Sequence, residues 1–235
     1  MARRPARRTA RTAAARSPAV PPDSERDKII AAFLALLAER PFAEIGFGDI
    51  AGRAGVSLAQ LRGEFGSALA ILAAHIKATD RAVLAQDFSD MAEEPARERL
   101  FDVLMRRLEV LAPHRQAIAS LLRSARRHPP LALALNGLAA RSQQWMLTAA
   151  GINASGPGGI FRAQGLAVLF ASVLRTWVED EDPGQARTMA ALDRALARGQ
   201  RLAGFLDDLC LIPSRICRLR SRRRRSDKSE RPAAA

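Results

Sequence analysis

Residues 46–65 read GFGDIAGRAGVSLAQLRGEF. Phe47, Ile50 and Ala51 give a short helix, expected from about Phe47 to Ala54, one apolar face, and Ala51 and Ala54 are small enough for a second helix to cross closely. Gly55 ends that helix, because without a Cβ it enters the left-handed conformation at no steric cost, and Val56 plugs the turn into the core. Ser57 caps a second helix, Leu58 to Phe65, which buries Leu61 and Phe65 one turn apart. Leu58, Ala59, Gln60, Arg62 and Gly63 are left on or near its outer side. This is the layout of a helix-turn-helix, whose second helix enters the DNA major groove with residues near its N-terminus reaching base edges.

Working outward, helical signals continue in both directions. Ser24 caps an apolar-periodic segment carrying Ile29, Ile30, Phe33, Leu34, Leu36 and Leu37, and Pro41 stops it. Ser67 opens a long helix through Leu69, Ile71, Leu72, Ile76, Val83 and Leu84. Further helices are expected from Pro95 to Leu111, from Pro113 to His128, from Leu131 to Ala150, from Ile160 to Val178 and from Pro183 to Leu211. Pro129-Pro130 reads as a boundary and GINASGPGG, 151–159, as a loop. No segment alternates with the period of a half-buried strand, so the expected fold is all α, with the helix-turn-helix in an N-terminal three-helix unit, 23–66, and further helices over 67–212.

The net charge of +13 is carried by the ends of the chain. Residues 1–22 hold six arginines and no acid, and 213–235 hold nine basic residues against two acids, so the span between them is neutral. Four prolines among the first 22 residues oppose a packed element, and this segment reads as a disordered arginine-rich arm. Its composition also suits an organelle transit peptide, although arginine outnumbers lysine throughout the chain, where only Lys28, Lys77 and Lys228 are lysines, and a bacterial cytoplasmic protein is the expectation. No apolar run is expected to reach the length of a membrane span, since Arg, Asp, Gln or Gly interrupts each one. Two cysteines, Cys210 and Cys217, exclude a disulfide framework and a cysteine zinc site within one chain.

The segment around 46–65 resembles the TetR-type family of one-component repressors. The likeness rests on the preceding helix (Ile29 to Arg40), Pro41-Phe42, Asp49-Ile50-Ala51, Ala54-Gly55-Val56-Ser57, Leu61, Phe65 and Gly66-Ser67. It implies that 23–66 is a DNA-binding domain and 67–212 a helical effector-binding and dimerisation domain, working as a homodimer on palindromic operator DNA, with a small apolar effector in the C-terminal domain changing the spacing of the recognition helices. Dimerisation is expected through the last two long helices. The sequence departs from the family where DNA is touched, with Arg62 where an aromatic residue is usual and Ala68 where a lysine is usual. Residues 23–66 carry five basic side chains against seven acids, a poor phosphate-binding balance. The arginine arm is therefore expected to supply much of the attraction, including minor-groove contact.

A second, shorter likeness, over 175–196, is to lipid-binding accessory proteins of coenzyme Q biosynthesis that share the TetR-type fold. It rests on Trp177, the acid run, Thr188 and Leu192-Asp193-Arg194. It implies an amphipathic C-terminal helix meeting a membrane, and the basic tail after Leu202, Phe205, Leu206, Leu209, Ile212, Ile216 and Leu219 suits anionic lipid.

The candidate DNA-binding residues are Ser57, Leu58, Gln60, Arg62 and Arg53, with Arg3, Arg4, Arg7 and Arg8 of the arm. Gln60 can pair bidentately with adenine, and Arg62 can address guanine or phosphate. Phe101, Met105, Trp145, Phe170 and Trp177 are candidates for an effector pocket, against the alternative of plain core packing. Glu179 to Asp182 read as caps for the following helix rather than a metal site. His75, His114 and His128 lie on different helices without a nucleophile or ligand spacing, so neither catalysis nor a cofactor is expected.

Overall fold

The computed structural model describes residues 24–88, 91 and 93–201. Expectations placed on 1–22, on the last helix beyond 201 and on 213–235, with Arg3, Arg4, Arg7, Arg8 and both cysteines, lie outside the described residues. Within them nine α-helices form and no strand does: α1 (Glu25–Glu39), α2 (Phe47–Ala54), α3 (Leu58–Glu64), α4 (Ala68–Leu84), α5 (Ala96–Leu111), α6 (Arg115–Arg127), α7 (Pro129–Ala149), α8 (Gly156–Glu179) and α9 (186–201).

Two apolar clusters organise these helices. The first joins α1, α2, α3 and the start of α4 through Ile29, Phe33, Leu37, Ile50, Leu61, Phe65 and Ile71, and takes in Ala117 of α6 with Leu121 and Leu135 packed against it. The second joins the end of α4 to α5, α7, α8 and α9 through Val83, Val103, Leu104, Leu108, Met146, Phe170, Trp177 and Leu192. α4 is long enough to enter both clusters.

Three boundaries differ from the sequence expectation. The break expected at Pro129-Pro130 falls at His128, but both prolines belong to the first turn of α7, which starts at Pro129 rather than Leu131; there a helix leaves its N–H groups without intrahelical partners and the missing donors cost nothing. The loop after α7 closes early, and α8 begins at Gly156. A Cβ on Gly159 would lie 2.1 Å from the backbone of Ala154, so glycine is what lets the loop fold back over the first turn of α8. Pro183 precedes a turn, and α9 begins at 186. The acid run caps, as expected: Asp182 accepts from the N–H groups of Gly184 (3.0 Å) and Ala186 (3.1 Å), while buried Asp180 accepts from the Thr188 N–H (2.8 Å) and hydroxyl (2.6 Å). Among the described residues no three His, Cys, Asp or Glu side chains gather as a metal site.

One expectation from composition is corrected. α8 contains a window of mean hydropathy 1.3, long and apolar enough by those measures to cross a membrane. One face of it has a partner in the fold, since Ala163, Leu166, Phe170, Val173 and Trp177 are buried in the second cluster, while Ile160, Phe161 and Val168 on the other side are exposed. That cluster also encloses charge. Asp80 of α4 pairs with Arg107 of α5 and accepts a 2.7 Å hydrogen bond from the Ser142 hydroxyl of α7, all three residues being buried. Nearby, His75 stacks edge to face on His114 with ring centroids 5.0 Å apart.

Candidate nucleic-acid interface

α2 and α3 make the turn that the sequence dictates. Gly55 has φ +67°, in the left-handed region, and the Val56 N–H closes back on the Ala51 carbonyl at 3.1 Å. Ser57 and Gln60 form a reciprocal cap on α3: the Ser57 hydroxyl accepts from the Gln60 N–H (3.1 Å), and the Gln60 side-chain oxygen accepts from the Ser57 N–H (2.8 Å). At the start of α2, Asp49 accepts from the Gly46 N–H at 3.0 Å. Ile50, Ala51, Leu61 and Phe65 are buried as expected. Phe47 is not, being 49% exposed: it stands at the first position of α2, outside the contact with α1 and α3 that covers Ile50 and Ala51.

The outer side of α3 is open. Leu58 is 59% exposed, and Ala59, Gln60, Arg62 and Gly63 are also exposed. Gln60, however, is occupied twice, since its amide nitrogen donates to Glu25 of α1 at 2.6 Å while its oxygen caps α3. Arg53 is held by Glu39 of α1 through two hydrogen bonds of 2.9 and 2.8 Å, and those bonds hold the Glu39 carboxyl below the usual carboxylate range. Arg26 pairs with Glu64 at 3.1 Å and lies 4.4 Å over the Phe65 ring, and Arg40 pairs with Asp49 at 3.6 Å. Of the five cations in this domain, Lys28 and Arg62 alone make no ion pair among the described residues.

The partners of Gln60 and Arg53, Glu25 and Glu39, went unread because they sit on a neighbouring helix 35 and 14 residues upstream. Two serines of α6 were missed as well. The Ser120 hydroxyl donates to the Arg40 carbonyl (3.1 Å) and the Ser124 hydroxyl accepts from the Phe42 N–H (3.2 Å), fastening α6 to the link between α1 and α2. Their spacing of four places both on one helix face and was the available signal.

The five expected effector residues do not line one cavity. Trp145 faces outward at 59% exposure, Phe170 and Trp177 are buried in the core, and Phe101 and Met105 pack half-buried against the same core. The alternative of core packing accounts for Phe170 and Trp177, since aromatic side chains at helical spacing serve a core, a pocket or an interface equally well. A cleft of about 370 Å³ lies instead among Phe88, Met91, Arg99, Val103, Thr148, Ala149 and Gly151. Arg99 is fixed there by donating to the main-chain carbonyls of Ala150 (2.8 Å) and Glu94. The residues behind the lipid-protein likeness have structural work of their own, Trp177 in the core and Asp180 with Thr188 in the cap. The comparisons with known structures do not bear that likeness out.

Across most of its length the chain superposes on crystal structures of TetR transcriptional regulators. One from Nitrosomonas europaea aligns at 22% identity and a TM-score of 0.57, covering 76% of this chain and 99% of that one. The chain has the TetR-regulator fold. A TetR regulator from Rhodococcus sp. RHA1 aligns at 20% identity and a TM-score of 0.54, covering 74% of this chain and 95% of that one. No protein-family description matches the sequence, and no curated protein does.

Proposed function

We propose that this chain is a DNA-binding transcription regulator of TetR type, working as a cytoplasmic homodimer on operator DNA and controlled by a small effector. The observation that carries the reading is the capped α2–α3 turn, built on a buried three-helix core, that leaves the outer side of α3 uncovered. The split after Gly66 assigns α1–α3 to DNA and the rest to effector and dimer. In this reading α3 lies in the major groove. Ser57, Leu58 and Arg62 meet DNA directly, and Gln60 and Arg53 do so by exchanging Glu25 and Glu39 for DNA. The N-terminus of α4, with Ser67 as cap and no acid in its first turn, offers backbone N–H groups to a phosphate. Arg3, Arg4, Arg7 and Arg8 of the arm add phosphate or minor-groove contacts.

The dimer is expected through α8 and α9. Phe161 (74% exposed), Gly165, Val168 (57%) and Ser172 form one outward stripe on α8, and Met189 is exposed on α9. The effector is placed in the cleft beside Arg99 rather than among the five aromatic and methionine residues named from sequence. Binding of the full chain to DNA from upstream of its own gene, with and without residues 1–22 and across a salt series, tests the reading. A preference for that DNA over random duplex is expected, and equal affinity for both at every salt concentration refutes it.

A further inference from the structure

The helix-turn-helix domain carries little cation to offer DNA. Arg26, Arg40 and Arg53 are engaged with acids of the same domain, and residues 23–66 are net acidic. Affinity for duplex DNA that does not depend on sequence follows the number of phosphates neutralised, so a regulator of this kind must draw cations from elsewhere.

α6 brings such cations to the domain. Its last turns carry Arg123, Arg126 and Arg127, which share one face by their spacing of three and four. All three are exposed, and among the described residues none is paired with a carboxylate. The helix is pinned against the helix-turn-helix by the Ser120 bond to the Arg40 carbonyl and the Ser124 bond to the Phe42 N–H. Arg123 and Arg127 line a cleft of about 220 Å³ with Arg40, Pro41, Ala43 and Glu44, in the link that leads directly into α2. The first helix of a helix-turn-helix crosses the phosphate backbone, so this link lies on the backbone side of the motif. Of the acids at that cleft, Glu39 is already held by Arg53, and Glu44 alone opposes the three arginines.

We propose that Arg123, Arg126 and Arg127 form a phosphate-contacting surface on α6, outside the helix-turn-helix, that grips the DNA backbone flanking the major groove read by α3. The proposal rests on the reading of the chain as a DNA-binding regulator. Because α6 enters both apolar clusters' neighbourhood, through Ala117 on one side and Ile118 on the other, the same helix carries both this surface and the joint to the effector domain.

The test uses the full-length chain and two fluorescein-labelled duplexes, one from upstream of its own gene and one of random sequence, with affinity followed by anisotropy over a salt series. The triple variant R123Q/R126Q/R127Q should weaken binding to both duplexes to a similar degree. It should also flatten the plot of log affinity against log salt by about 0.9 for each lost phosphate contact, or about 2.7 per protomer. The triple lysine variant keeps the charge and should keep the slope. Circular dichroism before each titration confirms that the variants are folded, and should the triple variant unfold, the three single glutamine variants are read for a slope change of about 0.9 each. Wild type that binds while the glutamine variants keep its slope overturns the α6 surface and leaves the regulator reading intact. Wild type that shows no affinity for either duplex overturns both.

Discussion

The buried Asp80–Arg107 pair makes the packing of α4, α5 and α7 sensitive to a single substitution. Asp80→Ala removes the carboxylate that binds the Arg107 guanidinium and accepts from Ser142, while Arg107 stays 5% exposed with its Nε already lacking a hydrogen-bond partner. Water cannot reach the stranded cation, so the cost is that of an uncompensated buried charge, about 3 to 5 kcal/mol. A domain of this kind has a total stability of about 5 to 15 kcal/mol, so the variant gives up a large part of it. Replacing both partners together, as D80L/R107M, removes the charge and the desolvation at once and should fall within about 2 kcal/mol of wild type. Urea unfolding followed by far-ultraviolet circular dichroism measures both variants. If Asp80→Ala costs less than about 1 kcal/mol, the pair is more solvated than its burial implies and the reasoning fails. If the double variant is as unstable as the single one, shape rather than charge accounts for the loss.

Three further outcomes follow from the same structure. Burial, then the neighbouring His114 and Arg107, push the His75 imidazole down to about 4, so it folds neutral and takes up a proton on unfolding. Its contribution is complete above the ordinary histidine range and is lost as pH falls from about 6.5 towards about 4, by up to about 3 kcal/mol; His75→Phe should flatten urea midpoints measured over that window, and an unchanged pH profile refutes the assignment. Gly55→Val forces a β-branched residue to φ +67° with no clash to confound the result, and should lower stability by about 1 to 2 kcal/mol in a thermal melt, with Gly55→Asn costing less. Val168→Glu places a charge in the exposed stripe of α8 and should convert a dimer to a monomer in analytical ultracentrifugation; a dimer that persists moves the interface elsewhere.

What was legible in the sequence was local. Gly55 acts through its own backbone and Ser57 through a hydroxyl that reaches three residues along the chain, so the α2–α3 turn could be placed to the residue, and the all-α architecture followed from the period of the apolar positions. What failed depended on neighbours distant in the chain. Phe47 shares a helical spacing with Ile50 and Ala51, yet no partner helix reaches the first turn of α2 and the ring is left outside. Trp145 and Trp177 have the same composition and opposite fates, because burial is decided by which face of α7 or α8 meets the bundle. The bidentate pairing of Gln60 with adenine is an expectation from its chemistry alone, and the sequence gives no sign that its amide donates to Glu25 of α1.

The ion pairs of residues 23–66 bear on how the proposed interface can meet DNA. Pairs as exposed as Arg53–Glu39 and Arg26–Glu64 are screened by solvent and contribute little to stability, so a phosphate can displace the carboxylate at small cost and free the arginine for the backbone. Exchange of partners does not change the total charge, however. Glu39 or Glu64 left behind beside the phosphates repels them, and the field that steers the protein towards the duplex is set by the net acidic balance of residues 23–66 however the pairs are arranged. Lys28 and Arg62 cannot reverse that balance. Attraction must therefore come from cations covalently outside the domain yet held close to it, which the arginine-rich arm satisfies by sequence and the end of α6 satisfies by its two serine bonds to the α1–α2 link. The two sources differ in one respect. The arm adds charge however the helices are arranged, whereas α6 is packed between the two clusters, so on the proposed reading a movement of α6 withdraws three arginines from the backbone at once.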